Sequence, residues 1–336
     1  MDMSVMITLG FLVFAIVMFA WEKIPLSITA MVVAVGLHLS GVLSAKEAFA
    51  GFVDPNVLLF MGMFVIGEAF FATGVAVGVG NVVHKFAKTE TSLLVAVMMI
   101  TGILSGFLSN TGTAAVLIPV IIGICKKSGF KQTKLLMPLV FAAAMGGNIS
   151  LIGAPGNMIA QAGLQQAGLG SFNFFDYGLV GLPILIVGTI FYATIGKRFL
   201  PDAPSHQPDG AFEGNDDYSH VPSWKKWTAA IILILTVVAM IFEKQLGVKL
   251  YVSAWIGALV LVATNVISET AAVKSIDMKT IMLFAGSMAL GDAMVKTGTG
   301  SVIADIIVNS LGASPSPIVV LVVIFVLGVF MTNFMS

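Results

Sequence analysis

Residues 106–120 read GFLSNTGTAAVLIPV. They lie inside an apolar run, roughly 91–125, and interrupt it with Ser109, Asn110, Thr111, Gly112 and Thr113. If the flanking sequence is dissolved in lipid, the interruption is expensive. An unpaired backbone N–H or C=O in hydrocarbon costs several kcal/mol, so a helix breaks there only against protein or a polar cavity.

Composition says that the solvent is lipid. Of 336 residues, 58% are hydrophobic and 10% charged, against about a quarter charged in a soluble domain. Mean hydropathy is +1.01. Apolar runs at roughly 4–20, 25–43, 56–83, 91–125, 135–165, 178–196, 228–242, 250–267, 280–308 and 316–335 follow one another. Several reach the ~20 residues that span ~30 Å of hydrocarbon. The expected fold is an all-α polytopic membrane protein. Glycine is abundant, which suits the close helix approach that packing in lipid rewards.

Other classes are excluded. The formal net charge is zero, so no basic surface points to nucleic acid. Cys125 is the lone cysteine, which rules out an intrachain disulfide and a cysteine-based metal centre. His38, His84, His206 and His220 have no metal-ligand spacing with one another. The 4–20 run lacks a basic start and is followed by AWEKIP, so it reads as a retained span rather than a cleaved leader.

Orientation follows from Lys and Arg in short loops. His84, Lys85 and Lys88 precede the 91–125 run, and Lys126, Lys127, Lys131 and Lys134 follow it. Both ends are therefore expected on the cytoplasmic side. The run is either two short crossings or a re-entrant hairpin, and its length favours the hairpin. On the same map the loops 84–90, 126–134 and 197–227 are cytoplasmic. The N-terminus, Lys46, Lys244 and Lys249 are outside, and Lys296 falls within a span. The stretch KRFLPDAPSHQPDGAFEGNDDYSHVPSWKKW, 197–227, is the one long polar segment. It reads as a linker between two membrane halves.

Those halves repeat. VLLFMGMFVIGEAFFATGVA (57–76) aligns without gaps on IMLFAGSMALGDAMVKTGTG (281–300). The alignment matches Leu59 with Leu283, Phe60 with Phe284, Gly62 with Gly286, Gly67 with Gly291, Thr73 with Thr297 and Gly74 with Gly298, and sets Glu68 against Asp292. The topology map makes the repeats inverted, the arrangement of many secondary transporters with broken helices and a midplane site. The expected organisation is an N-terminal span (1–24), a first inverted repeat (25–200, with the hairpin 91–125 and a broken helix 135–165), a cytoplasmic linker (201–227) and an incomplete second repeat (228–336). LSGFLS (104–109) aligns on MTNFMS (331–336), so the expectation is that roughly 90 further residues complete the second repeat.

Three features carry chemistry. At the Ser109-Asn110-Thr111-Gly112-Thr113 tip, carbonyls of the incoming arm suit a cation, and N–H groups of the outgoing arm suit an anion. A turn capped by small polar residues is the plainer reading. The second is GGNISLIGAPGN, 146–157, which cannot continue a straight helix. It is either a kink or glycine-packed crossing, or a second half-helix break whose carbonyls near Gly146, Gly147 and Asn148 are candidate sodium ligands. The third is the pair Glu68 and Asp292, acids inside spans. The small and polar residues after each, EAFFATG and DAMVKTG, suggest that the span breaks there and meets water. Their role is either structural or in ion coupling. Lys296, four residues after Asp292, is placed to pair with it along a helix.

The SNTGT tip followed by LIPV, the GGNISLIGAPGN loop and the doubled LLF-G pattern resemble the divalent anion–sodium symporters of the wider ion-transporter superfamily, over nearly the whole chain. The resemblance implies a dimerising scaffold and a transport part that moves in an elevator-like shift. It also implies sodium as coupling ion, a small anionic substrate such as a di- or tricarboxylate or sulfate, no other cofactor, and a homodimer in the plasma membrane. Ser109, Asn110 and Thr111, with Pro155 and Asn157, would bind substrate. Ser105, Ser109, Asn110 and Gly147 or its neighbours would hold the first sodium, and Thr332 and Ser336 would belong to a second sodium site. The family loop often reads Gly-Thr-Pro-Pro-Asn, whereas here it is Gly153-Ala154-Pro155-Gly156-Asn157. An exporter or antiporter of the same superfamily, a channel and an intramembrane enzyme are the alternatives. The enzyme lacks a second intramembrane aspartate, a Ser/His pair and an HExxH motif.

Overall fold

The computed structural model describes residues 2–21, 23–78, 89–128, 130–200, 218–303, 305 and 316–334. The basic loop with His84, Lys85 and Lys88, the linker residues 201–217 with His206, and Ser336 lie outside the described residues. So do the side chains of Lys126, Lys127 and Thr332.

All regular structure among the described residues is helical. The helices are α1 (Met3–Trp21), α2 (Leu26–Leu39), α3 (Ala45–Ala48), α4 (Pro55–Ala72), α5 (Glu90–Ser105), α6 (Asn110–Ser128), α7 (Thr133–Gly146) and α8 (Pro155–Gln166). They continue as α9 (Gly178–Thr194), α10 (Ser223–Ile241), α11 (Glu243–Leu246), α12 (Leu250–Ala263), α13 (Glu269–Ser275), α14 (Met278–Thr297) and α15 (Pro317–Phe334). Among them α1, α4, α10 and α14 are long and apolar enough to cross a membrane. α9 buries Gly181, Leu185 and Thr189 but exposes Leu179, Val180 and Val187. Such an apolar outer face belongs against lipid, and the chain is a multi-pass membrane protein.

The chain forms two compact units, one from residues 1–57, 162–170 and 278–336, the other from 58–161 and 171–277. Each takes helices from both sides of the 201–227 segment. In the first unit α2 lies along α14, where Val33, Ala34 and Leu37 pack with Ala289 and Ala293. Gly286 makes the crossing close, because a Cβ there would collide with the Ala30 backbone. At the end of α14, Lys296 Nζ donates to both carboxylate oxygens of Glu47, at 2.8 and 2.9 Å. The expected pairing of Lys296 with Asp292 is therefore corrected. α3 is closed by a capping box in which Glu47 also accepts from Ser44 N at 2.7 Å. That hydrogen bond holds a carboxylate ready at the α14 terminus.

In the second unit, Leu93, Leu94, Val97 and Met98 of α5 pack with Leu135, Leu139 and Ala142 of α7, with Leu117 and Ile121 of α6, and with Leu185 of α9. α12 lies against α10 in the same unit. A Cβ on Gly62 of α4 would stand 2.8 Å from the Ala254 Cβ of α12.

The two aligned stretches take the same backbone path at an offset of 224 residues, Val57 on Ile281. Left-handed backbone recurs in register at Gly41 (φ 78°) and Asn265 (φ 56°), and at Gly74 (φ 75°) and Gly298 (φ 74°). Asn is among the few residues other than glycine that tolerate it. Ser44 and Ser268 cap α3 and α13 at the same offset. The acids do not break their helices. α4 runs on through Glu68 to Ala72, and α14 through Asp292 to Thr297, so each break comes later, at the left-handed glycine. No backbone hydrogen bond has to be given up at a carboxylate that the helix can carry at its surface.

Candidate functional site

The hairpin is two helices and a four-residue break, all in the second unit. α5 has 16 residues, about 24 Å at 1.5 Å per residue, which is short of a full crossing. Thr89 caps its start through Ser92 N at 3.1 Å. It ends at Ser105, and α6 begins at Asn110. Ser109 caps α6, with its Oγ accepting from Gly112 N at 3.0 Å and its carbonyl from Thr113 N at 2.9 Å. Thr111 is exposed on the first turn.

The second break follows α7, 14 residues long, and precedes α8, 12 residues long. Pro155 opens α8, a position where its missing N–H costs nothing. The two breaks touch. Gly146 sits on the Gly102 backbone, where any Cβ would collide with the Gly102 carbonyl. A Cβ on Gly153 would lie 2.5 Å from Gly147 O and 3.0 Å from Gly106 O.

Polar side chains brace this contact. Ser105, fully buried, donates to Ala143 O at 2.6 Å. The Asn110 amide, with Nδ2 turned to donate, reaches Ser105 Oγ at 2.6 Å, Gly153 O at 3.1 Å and Ala143 O at 3.2 Å. Ser150, also fully buried, donates to Gly106 O and so ties the second break to the first. Asn157 Nδ2 donates to Gly147 O at 2.8 Å and to Ser150 O at 2.9 Å. Tyr177 OH donates to Asn157 O at 2.8 Å, and Leu151 N donates to Phe174 O at 2.9 Å. Phe107 of the tip stacks on Phe174, 6.4 Å between ring centroids.

Of the residues singled out from sequence, Ser105, Asn110, Gly147 and Asn157 meet in one network, and Gly146 supplies its close crossing. Ser109 is committed to capping. Thr111 and Pro155 are exposed at the first turns of α6 and α8. Asn148 is turned away, its side chain exposed and its carbonyl against Gly181 of α9. Glu68, half-buried, belongs to α4. Asp292 and Thr332 lie on α14 and α15 of the other unit, and the carboxylates that act on Asp292 are those of Asp54 and Glu47.

Sequence reasoning missed Ser150, Tyr177 and the carbonyls of Gly106, Ala143 and Gly153. Ser150 had a signal, a lone hydroxyl between Ile149 and Leu151 in a glycine-rich break. The carbonyls had none.

The arrangement offers oxygen donors at the break and backbone N–H groups at two helix starts. Oxygen donors suit a hard cation, and the N–H groups suit an anion. A family model described as a citrate transporter matches residues 16–336. The uncharacterized transporter YfbS of Escherichia coli is 34% identical over 203 residues, 60% of this chain and 33% of that protein. An uncharacterized transporter of Haemophilus influenzae is 26% identical over 348 residues, covering 98% of this chain and 73% of its own length. A third, MJ0672 of Methanocaldococcus jannaschii, is 25% identical over 94% of this chain and 72% of its own. The chain thus spans a third of the length of the first of these relatives and nearly three quarters of the other two.

Proposed function

The chain belongs to the citrate transporter family, and we propose that it carries an ion and anion site of a sodium-coupled symporter for a small divalent anion, a di- or tricarboxylate or sulfate. It is a transporter and not an enzyme, as the family and these relatives are named. The observation that carries the symport reading is the meeting of two helix breaks around Asn110, where Ser105 Oγ, Ala143 O and Gly153 O converge on one amide. A donor set of carbonyl, hydroxyl and amide oxygen fits a hard cation such as sodium. It offers no soft ligand for a transition metal.

The anion belongs at the starts of α6 and α8. There the unpaired N–H groups and the positive dipole ends favour negative charge. The Thr111 hydroxyl is exposed at the same helix start, and Pro155 and Gly156 border the other. Asn157 serves the site from behind. Its amide hydrogens already hold Gly147 O and Ser150 O, so it shapes the loop rather than reaching out for substrate. Thr332 and Ser336 are the counterparts assigned to a second sodium site in the second repeat. Glu68 and Asp292 are kept as structural or coupling acids. The assembly is a homodimer in the plasma membrane, with its N-terminus outside and the loops 84–90, 126–134 and 197–227 cytoplasmic, and it works by an elevator-like shift.

The test is uptake of labelled citrate, succinate and sulfate into inside-negative vesicles from cells expressing the gene that carries this sequence. Sodium-gradient-dependent uptake of one of them is expected. Asn110→Ala should lower it to background at normal expression. Uptake that follows a proton gradient, or export alone, would replace the symport reading with the antiporter of the same superfamily.

A further inference from the structure

We propose that Asn110 is a two-position amide switch that couples the cation to the anion, an inference that rests on the ion-site reading above. Its amide stands among three oxygens, Ser105 Oγ, Gly153 O and Ala143 O, at 2.6, 3.1 and 3.2 Å. With Nδ2 toward them, all three find a donor and the network is complete without an ion. With Oδ1 toward them, Ser105 Oγ donates to it at 2.6 Å. The two carbonyl oxygens then face a third oxygen with no hydrogen between. Lone pairs at that spacing repel, and a cation among them removes the repulsion. One orientation is therefore self-sufficient, and the other needs an ion.

The surroundings leave room for the turn. Gly147 backs onto the amide, and a Cβ there would lie 2.6 Å from Oδ1 and 2.8 Å from Nδ2. Only a glycine clears a planar group that rotates in place. The tip itself need not move, because Ser150 holds Gly106 O and Phe107 is stacked on Phe174. Turning the amide exchanges its two ends. The NH2 group that leaves the carbonyls becomes available to an acceptor at the α6 start, where Asn110 is the first helical residue. A carboxylate or sulfate oxygen is such an acceptor. Cation binding thus presents a donor to the anion, and the anion by the same step favours the cation-bound orientation, as linkage requires.

The experiment follows the Asn110 side-chain NH2 signals of the full chain labelled with 15N-asparagine in detergent. Asn110→Asp serves as the assignment control, with Asn110→Ser as a second if that variant fails to fold. Melting temperature is measured in the same samples, in sodium chloride and in choline chloride. Sodium is expected to raise the melting temperature, to move the NH2 pair and to speed its hydrogen exchange about five- to tenfold, the loss of one ordinary hydrogen bond. Choline should do none of these. If sodium raises the melting temperature while the NH2 pair stays in place, or if choline moves the pair equally, the switch is overturned and the ion site stands. If sodium changes neither reading, the ion site falls and the switch with it.

Discussion

At the scale of single residues, Gly146 and Gly156 look alike in GGNISLIGAPGN, and the packing treats them oppositely. A methyl on Gly146 would meet the carbonyl of Gly102, which belongs to a helix backbone and cannot turn aside. Gly146→Ala should cost about 1–3 kcal/mol, as overpacking does. Gly156 has nothing within 4 Å of its would-be Cβ, so Gly156→Ala should change stability by less than about 0.5 kcal/mol. Melting curves in detergent decide it, and equal losses at both positions would mean that the breaks do not touch as described. Asn157→Ala tests the bracing. It strips a donor from the buried carbonyls of Gly147 and Ser150, at about 1–3 kcal/mol for a group left unpaired. It should also shrink the sodium-induced rise in melting temperature, which a loss of stability elsewhere would not. The residue types of this site were legible. SNTGT and the paired asparagines announced polar groups where lipid forbids them. The partners were not, because the site's acceptors are backbone oxygens. Every residue has one, so sequence carries no mark of which are aimed inward.

At the scale of elements, the hairpin was legible because its signals are local. A polar tip, two arms each too short to cross comfortably and basic flanks lie within one stretch of chain. The tie between α14 and α3 was not. Lys296 and Glu47 are 249 residues apart, while Asp292 sits one turn away at a spacing that favours pairing. What decides between them is the capping box of α3, which fixes the carboxylate before the lysine arrives. The pair has a pH signature. The hydrogen bond from Lys296, and then those from Ser44, lower the Glu47 pKa to about 2. A depressed carboxylate contributes stability that is present above its unfolded value and is lost as pH falls toward the folded one. The wild type should therefore lose stability between about pH 4.5 and pH 2 through this group. Glu47→Gln and Lys296→Met should each flatten that part of the curve. A curve unchanged in both variants would place the acid sensitivity in other carboxylates and leave the α3–α14 tie without a measurable role.

At the scale of the molecule, the repeat was visible as glycines and an acid in register, yet sequence identity overstates what the matches share. Gly67 and Gly291 align as well as Gly62 and Gly286. In the structure the first pair is not a crossing: a Cβ on Gly67 would meet only Leu108, at 3.8 Å, and one on Gly291 would meet the end of Gln166, at 3.2 Å. The second pair is reciprocal. Gly62 of the first repeat packs on Ala254 of the second, and Gly286 of the second packs on Ala30 of the first, each partner shifted by the same 224 residues. Each compact unit thus holds one crossing of the same build, made from one helix of each repeat. An exchange of this kind makes each unit incomplete without both halves of the chain. It follows that a methyl at either crossing should be felt equally. Gly62→Ala and Gly286→Ala should each destabilise by about 1–3 kcal/mol, because backbone atoms of the partner helix stand in the way. Gly67→Ala should be tolerated within about 0.5 kcal/mol, since its nearest neighbour is at ordinary contact distance. Thermal melts of the three variants in one detergent read this directly. A large loss at Gly62 with none at Gly286 would show that the two units do not share the crossing, and the repeat would then describe ancestry in the sequence without equivalence in the fold.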